Sequence, residues 1–554
     1  MNSATRPVLI LGAGVNGAAL ARELLLNRVP VVLVDTADIC SGASAYSSRL
    51  IHGGLRYLEF GEFDLVRESL DERKRLLQLA PQYVRPLRLF IPARRRLGGM
   101  WPTLARFVFG RSAPTRQPRG MWLVRSGLWL YDRYAADRQL PPHAVHRAGD
   151  AEVPSVDGGK YRWLCSYWDA QIAYPERFVV AMLQDTGQLA TDDCPFRLLT
   201  YHRAQLDGQR ADIFRLPDQQ RIDSFQPLAI VNATGAWVDL TLEKLPVTAD
   251  RLMGGTRGSH FISYHQGLRA ALGEAGIYVE AADGRPVFVL PLGGGVLVGT
   301  TDVPFEGDPA TARATDDEIH YLLKTVNDLL PDVRLSAADV AAHYSGVRPL
   351  PYTRGLAAAA ITRRHQVHRH TNCPLPVFSL IGGKLTTCRA LAEQTARTVL
   401  DELDIPVTAN SRDRPLPGAD GYPTAANEPA ATWQRLSNQF GLPPAQIIAT
   451  WHLLGTRTEQ ILKATDHDGR AAIDDTDIPA AVVRWIIDNE WVTTLDDLVQ
   501  RRLMLSYDRR LTSGCLRELA GKMSEAGRLE VAAIPGAVAA TCDHLHRQFG
   551  RSVV

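Results

Sequence analysis

Four aliphatic residues, Val8-Leu9-Ile10-Leu11, run directly into Gly12-Ala13-Gly14-Val15-Asn16-Gly17 and then into Ala18-Ala19-Leu20-Ala21-Arg22-Glu23-Leu24, a series of good helix formers. Strand, glycine turn and helix in that order predict the opening unit of a parallel α/β sheet. Val31-Val32-Leu33-Val34 reads as a second buried strand and ends in Asp35, 23 residues after Gly12, where an acid suits a ribose hydroxyl. Gly12 allows the tight turn, Gly14 lets backbone N–H groups approach a pyrophosphate, and Gly17 lets helix and strand pack closely, with the positive end of the helix dipole toward the anion. The glycine motif alone is a weak signal. Strand, helix, second strand and acid in register favour dinucleotide binding over a purely structural turn, without separating FAD from NAD.

At 554 residues the chain is long enough for about three to four folding units. The charge-free stretch Pro286 to Thr301 is 16 residues long and interrupted by Pro291, Gly293, Gly294, Gly295 and Gly299, short of the roughly 18 apolar residues a spanning helix needs, so no transmembrane segment is expected. The seven cysteines include no C-x-x-C pair and no close grouping with histidine, which argues against a zinc site or a disulfide framework and leaves no metal expected. Ahead of the first glycines a single Arg6 precedes an apolar run of only Val8-Leu9-Ile10-Leu11, too short for a secretory signal. A reducing, intracellular compartment is the expectation.

Two later strand-to-glycine transitions extend the first. Leu228-Ala229-Ile230-Val231 leads into Asn232-Ala233-Thr234-Gly235-Ala236-Trp237, and Val377-Phe378-Ser379-Leu380-Ile381 leads into Gly382-Gly383-Lys384-Leu385-Thr386-Thr387 and a helix through Leu403. Soon after the second strand comes Ser47-Ser48-Arg49-Leu50-Ile51-His52-Gly53-Gly54-Leu55-Arg56-Tyr57-Leu58, whose paired glycines suit close backbone approach to a ligand. Such spacing fits a long cofactor bound by a discontinuous domain. An NAD domain would normally be finished in one stretch. Phe288 to Leu292 and Val296 to Thr300, joined through Gly293-Gly294-Gly295, predict a β-hairpin of an antiparallel substrate sheet. Thr301 and Asp302 follow it, as site residues or as a turn cap.

Together with Gly258-Ser259-His260, Val298-Gly299-Thr300-Thr301-Asp302 and Tyr344-Ser345-Gly346-Val347-Arg348-Pro349-Leu350, these blocks resemble the FAD-dependent glycerol-3-phosphate dehydrogenases and oxidases over nearly all of residues 7 to 400. The resemblance implies an α/β fold: a Rossmann-like FAD-binding domain of the glutathione-reductase/D-amino-acid-oxidase type, an antiparallel-sheet substrate domain and a C-terminal helical domain. The oxidoreductase region would span 1–405, with FAD mainly on 7–80, 160–240 and 345–405 and substrate mainly on 245–345. Residues 406–429, rich in proline, read as a linker. The helical domain, 430–554, carries the apolar periodicity of Trp433, Leu436, Phe440, Trp451, Leu454, Val483, Ile486 and Ile487 and the family's Asp488-Asn489-Glu490-Trp491 and Arg501-Arg502. Its expected role is a structural cap or the surface of a homodimer rather than chemistry.

Carried over residue by residue, the resemblance implies cofactor contacts at Gly12, Gly14, Asn16, Gly17, Asp35, Ser47, Ser48, His52, Gly53, Gly54, Ala233, Thr234, Gly235, Gly382, Gly383, Lys384, Leu385 and Thr386. Oxidising a secondary alcohol needs a base, a stabiliser for developing alkoxide charge and cationic anchors for a phosphate. Arg56, Arg348, Arg363 and Lys384 supply the cations, beside Tyr57, and guanidinium forks suit phosphate oxygens. His260 is the favoured base because imidazole titrates near working pH, with His52 its rival. Arg348 would stabilise the alkoxide or bind phosphate, and Lys384, beside a helix N-terminus, would favour an anionic reduced flavin. The implied reaction is oxidation of sn-glycerol 3-phosphate to dihydroxyacetone phosphate with electrons passed to a quinone. An oxygen-using oxidase, an enzyme for a related phosphorylated polyol and a flavin-bearing adaptor without turnover are the rivals. Tyr167 to Tyr174 stands where the family carries Tyr-x-Asp-x-Gln and a further aspartate. Asp169 and Gln171 are present, Ala173 or Tyr174 replaces the second acid, and Arg177 sits one residue from the family's arginine, which bears on which alcohol is taken.

The net charge of +2 hides an uneven distribution. Residues 85–133 hold 11 arginines and one acid, Asp132, for a local +10, leaving −8 elsewhere. Phe90, Trp101, Phe107, Phe109, Trp122, Trp129 and Tyr131 are interleaved with them, in two short apolar runs, Met100 to Gly110 and Met121 to Tyr131. Arginine with tryptophan between short apolar runs is the composition of an interfacial anchor. The matching part of the family is implicated in peripheral membrane attachment, so a membrane-associating insertion against the anionic inner face of the cytoplasmic membrane is expected. An oligomer interface or steering of an anionic substrate are alternatives, and nucleic acid is disfavoured because no binding module accompanies the charge.

Overall fold

A computed structural model describes residues 6–96, 120–137, 139–216, 218–353, 364–371, 373–424, 428–465 and 468–553. Strand Val8–Leu11 sits inside a six-stranded sheet of order 366–370, 377–381, 230–232, 8–11, 31–34, 196–199. All neighbours run parallel except the edge strand 366–370. Strands 8–11 and 31–34 are buried on both faces, which is why they read as uninterrupted aliphatic runs rather than alternating ones. On one face pack helices Val15–Leu26, Pro175–Leu189 and Cys388–Glu402. On the other, Leu9, Leu11, Val32 and Val34 meet Ala211 and Ile213 of a three-stranded antiparallel sheet. Ten of the twelve residues of helix 15–26 are buried, and its alanines let the flanking helices approach closely.

The segment expected as a linker is a strap laid along that helix. Asn27 accepts from the backbone N–H of Thr408 and donates to the Ala409 carbonyl, Arg22 donates to the Arg414 carbonyl, and Leu416 is buried. Burying the charges of Arg22 and Glu23 is offset by Asp185 at 2.6 Å and by the Ser411 hydroxyl.

The second sheet is larger and mixed. Its long strand Met253–Ser263 pairs antiparallel with Ala342–Pro351 over ten residues, and along its other side with Gly295–Gly299 and Val303–Phe305. The hairpin at 286–299 forms as expected, with Phe288 opposite Gly299 and Val289 opposite Val298. The stretch taken as an insertion from residue 85 needs correcting at its start. Val84–Ala93 is a strand paired along its whole length with Trp163–Ile172, and its consecutive apolar residues Leu89, Phe90 and Ile91 are buried on both faces, with Leu87. Residues 97–119, including Met100 to Gly110, lie outside the described residues. Helix Met121–Ala135 then packs Met121, Val124, Leu128 and Tyr131 inward. Among the described residues no helix is long and apolar enough to cross a membrane.

The C-terminal region is helical, with Leu436, Phe440, Trp451, Leu454, Val483, Ile486 and Ile487 in its core. Buried ion pairs tie it to the first sheet's layer. Asp38 pairs with Arg501 at 2.6 Å and with Arg502 at 2.8 Å, and Arg177 makes a two-pronged bond to Glu490. Arg49, fully buried, joins Glu176 at 2.8 Å and the Tyr507 hydroxyl at 3.1 Å. Charges this deep persist only when paired and hydrogen-bonded.

Candidate active site

Because strands 8–11, 230–232 and 377–381 are parallel neighbours, the three glycine turns that follow them leave the same edge of the sheet, where open α/β sheets bind ligands. They converge on one cavity of about 1330 Å³, lined by Gly12, Gly14, Asn16, Asp35, Ala233, Thr234, Gly235 and Gly382 to Thr386. Gly17 explains how the turn closes: a Cβ there would lie 1.9 Å from the Gly12 carbonyl oxygen. Asp35 accepts from the Ala13 N–H at 2.7 Å and the Ala37 N–H at 2.9 Å, so it braces the turn as well as lining the cavity. Burial pushes its carboxyl up to about 6, against those two backbone donors.

Ser47, Ser48, His52 and Tyr57 form another wall, and Gly258, His260 and Arg348 come from the long antiparallel pair of the second sheet. His260 lies opposite Gly299 on one neighbouring strand and Tyr344 on the other. Its ring stacks on Tyr344 at 5.0 Å and fills the space a Gly299 Cβ would need, 2.1 Å from Cδ2. Nε2 is 2.9 Å from the Ser48 hydroxyl. Burial, and then the positive charges of Arg348 and Arg49, hold the imidazole well below its usual value, while the Gly258 backbone pulls the other way. His260 is therefore neutral at working pH, the form a base requires.

Strand alternation puts Tyr344, Gly346 and Arg348 on one face. Arg348 donates to Asp302 at 2.9 Å and to the Thr300 hydroxyl at 2.9 Å, so its guanidinium plane is fixed before any ligand arrives. Asp302 is thus a partner of the site's arginine, whereas Thr301 is spent inside the fold on Glu318 and the Ser259 N–H. Lys384 reaches the Ser69 hydroxyl at 2.7 Å and lies 4.8 Å from the centre of the Tyr57 ring.

The family model described as FAD dependent oxidoreductase matches residues 7–396, and that of the C-terminal domain of alpha-glycerophosphate oxidase matches 409–533. A glycerol-3-phosphate dehydrogenase of Synechocystis is 34% identical over 90% of this chain and 88% of its own. The chain belongs to the FAD-dependent glycerol-3-phosphate dehydrogenase family. A D-erythritol 1-phosphate dehydrogenase of Brucella abortus is 30% identical over 90% of this chain and 94% of its own. In fold, it is similar to a glycerol-3-phosphate dehydrogenase structure from Bacillus halodurans, at a TM-score of 0.73 and 19% identity over 99% of this chain and 96% of that one.

As a member of that family the protein is an oxidoreductase whose cofactor is FAD. The cradle fits it. Asn16, at the start of the first helix, has its side-chain oxygen buried with no hydrogen-bond partner among the described residues, and it stands at the positive end of the helix dipole, which favours an anion.

Several expected residues sit elsewhere. Gly17, Gly53, Gly54 and Arg56 are not on the cavity wall. Gly17 is spent on packing. The Gly53 N–H points to the Tyr131 hydroxyl at 2.9 Å and to Asp169, and Gly54, at φ 74°, starts the turn that swings Tyr57 toward Lys384. Arg56 lies half-buried on that turn. Arg363 lies outside the described residues. The Tyr167 to Arg177 segment supplies no wall: Asp169 holds Arg73 and Tyr131, Gln171 donates to the Pro291 carbonyl, and Arg177 binds Glu490. Its departure from the family pattern touches packing between lobes, where the Ala173 carbonyl accepts from Arg49.

The sequence reading missed one wall entirely. Thr493, Thr494, Asp496, Arg501, Thr541, His544 and Gln548 of the C-terminal region line the cavity, with Arg313 and Trp237 beside them. The only sequence signal was Arg501-Arg502, whose carboxylate partner stands more than 460 positions away at Asp38.

Proposed function

We propose that this chain oxidises sn-glycerol 3-phosphate to dihydroxyacetone phosphate and delivers the electrons to a quinone at the inner face of the cytoplasmic membrane. The observation that carries the reading is the pairing of a buried, neutral imidazole with a pre-oriented guanidinium on adjacent strands, facing the FAD cradle across one cavity. Bound FAD supplies the two-electron acceptor for the carbinol carbon. His260 receives a proton at Nε2 by way of the Ser48 hydroxyl, which gives its own proton to the ring as it takes the one leaving the substrate hydroxyl. Arg348, held by Asp302 and Thr300, stabilises the oxygen as it becomes anionic and shares the phosphate with Lys384. Tyr57 lies beneath the lysine and limits where the phosphate can rest.

The Brucella relative favours a second reading, a longer phosphorylated polyol as substrate. Anaerobic mixing of the FAD-loaded protein with each alcohol decides between them. Glycerol 3-phosphate is expected to bleach the flavin faster and at lower concentration than erythritol phosphate, and bleaching by neither overturns both. His260→Asn is expected to slow bleaching by about 10²- to 10⁴-fold with the flavin retained. Reoxidation of the bleached protein by a quinone analogue rather than by oxygen separates dehydrogenase from oxidase.

Support for the membrane comes from helix 121–135. Trp122 and Trp129 are 47% and 59% exposed, and with Arg125 and Arg133 they occupy the face opposite its buried residues. Anionic vesicles are expected to float the wild-type protein at low salt and to lose a Trp122→Ala/Trp129→Ala variant. Equal flotation of the two, insensitive to salt, removes the helix from this role.

A further inference from the structure

We infer that the C-terminal helical domain is part of the cofactor site: it closes the half of the cavity that receives the ADP portion of FAD, and its polar wall slows the release of that portion. The loop 36–48 leads from the second strand to Ser47 and Ser48, and most of its residues line the cavity. The C-terminal domain grips it at both ends. Asp38, three residues after the cavity-lining Asp35, is held by Arg501 and Arg502. Tyr46 lies 6.2 Å, ring to ring, from Phe549 at the end of helix Ile534–Phe549. Tyr201, whose N–H bonds the Ala37 carbonyl, extends its hydroxyl to Asp497 at 2.5 Å.

Between these grips the domain presents side chains able to bond hydroxyls and phosphate oxygens. Thr494, Asp496, Thr541 and His544 all line the cavity. His544 Nδ1 is 3.2 Å from Asp496, while its Nε2 is buried with no hydrogen-bond partner among the described residues. Unsatisfied polar groups on a cavity wall are costly unless a ligand completes them. Ser44 of the same loop accepts from the Val15 N–H at 3.0 Å, tying the loop to the first glycine turn, so the cofactor half seated on that turn would be the part that meets this wall. A domain that served only as a scaffold would not need polar side chains here.

The test uses the full-length, FAD-loaded protein and follows recovery of flavin fluorescence after dilution. His544→Ala is expected to release FAD about three to ten times faster than wild type, the loss of one hydrogen bond. Thr541→Val, which keeps the side chain's volume, is expected to behave alike. Arg484→Ala, on the same domain and outside the cavity wall, should release it at the wild-type rate. In a second measurement on the wild type, FAD is expected to protect residues 430–553 from limited proteolysis relative to the flavin-free protein. Release unchanged in both cavity variants, or protease sensitivity of that region indifferent to FAD, overturns the inference.

Discussion

His260 shows how much a single side chain depends on residues far from it in sequence. Gly299 gives it room, Tyr344 gives it a stacking partner, and Ser48 gives its ring nitrogen a hydroxyl. Gly299→Ala should push the ring off that arrangement and lower kcat while the flavin content of the purified protein stays normal. Ser48→Ala is expected to lower kcat about tenfold, the scale of one lost hydrogen bond in a buried site, and its absorbance spectrum tests whether FAD binding is spared. Because burial and two arginines disfavour the imidazolium, neutral His260 persists below its ordinary value of 6.5. Protonation inactivates a base, so the acid limb of kcat against pH should fall below 6.5 and vanish in His260→Asn. The histidine itself was legible in its glycine-serine-histidine block. Gly299's service to it was not, since cross-strand register between residues 39 positions apart is set by pairing that no local pattern records.

At the scale of the element, helix 121–135 has one buried face and one exposed face. Leu128 is fully buried and its neighbour Trp129 is largely exposed. Leu128→Ala should cost about 2–5 kcal/mol of stability, whereas Trp129→Ala should change it by less than about 0.5 kcal/mol, as read from thermal midpoints of the FAD-loaded protein. The inward set Met121, Val124, Leu128 and Tyr131 follows helical spacing and was present in the sequence. The density of arginine and tryptophan across 85–133 drew the reading toward composition instead, so a sheet strand and a half-buried helix were grouped into one insertion. The parallel strands and glycine turns were legible because full burial leaves uninterrupted aliphatic runs. The strap at 406–424 was not, because prolines that end a helix look the same whether the chain then hangs free or lies on a neighbour.

In the whole molecule, the C-terminal region shares an apolar core with the rest of the chain and is tied to it by buried ion pairs as well. Asp38→Ala leaves Arg502 without its carboxylate and Arg501 with Asp497 alone and should destabilise the protein by about 3–5 kcal/mol, visible as a lower midpoint and faster proteolysis of the C-terminal region. Burial also keeps His370 and His452 down, to about 4 and about 3. The unfolded chain, with histidines near 6.5, binds more protons than the folded one between those values. Their contribution to stability is therefore complete above 6.5 and declines as the pH falls toward 4, a trend that thermal midpoints across that range would reveal. That the C-terminal domain would be helical was legible from periodicity; that it walls the cavity was not, since nothing in a helical repeat says what its polar face looks onto.

The order in which these walls occur along the chain has a consequence for assembly. The glycine turns and the antiparallel sheet are complete by residue 402, whereas the wall carrying Thr541 and His544 is more than a hundred residues downstream. At ordinary rates of synthesis that separation amounts to on the order of ten seconds. Until that interval has passed, the chain lacks the wall that carries Thr541 and His544, so the cavity is completed by the last helix to be made.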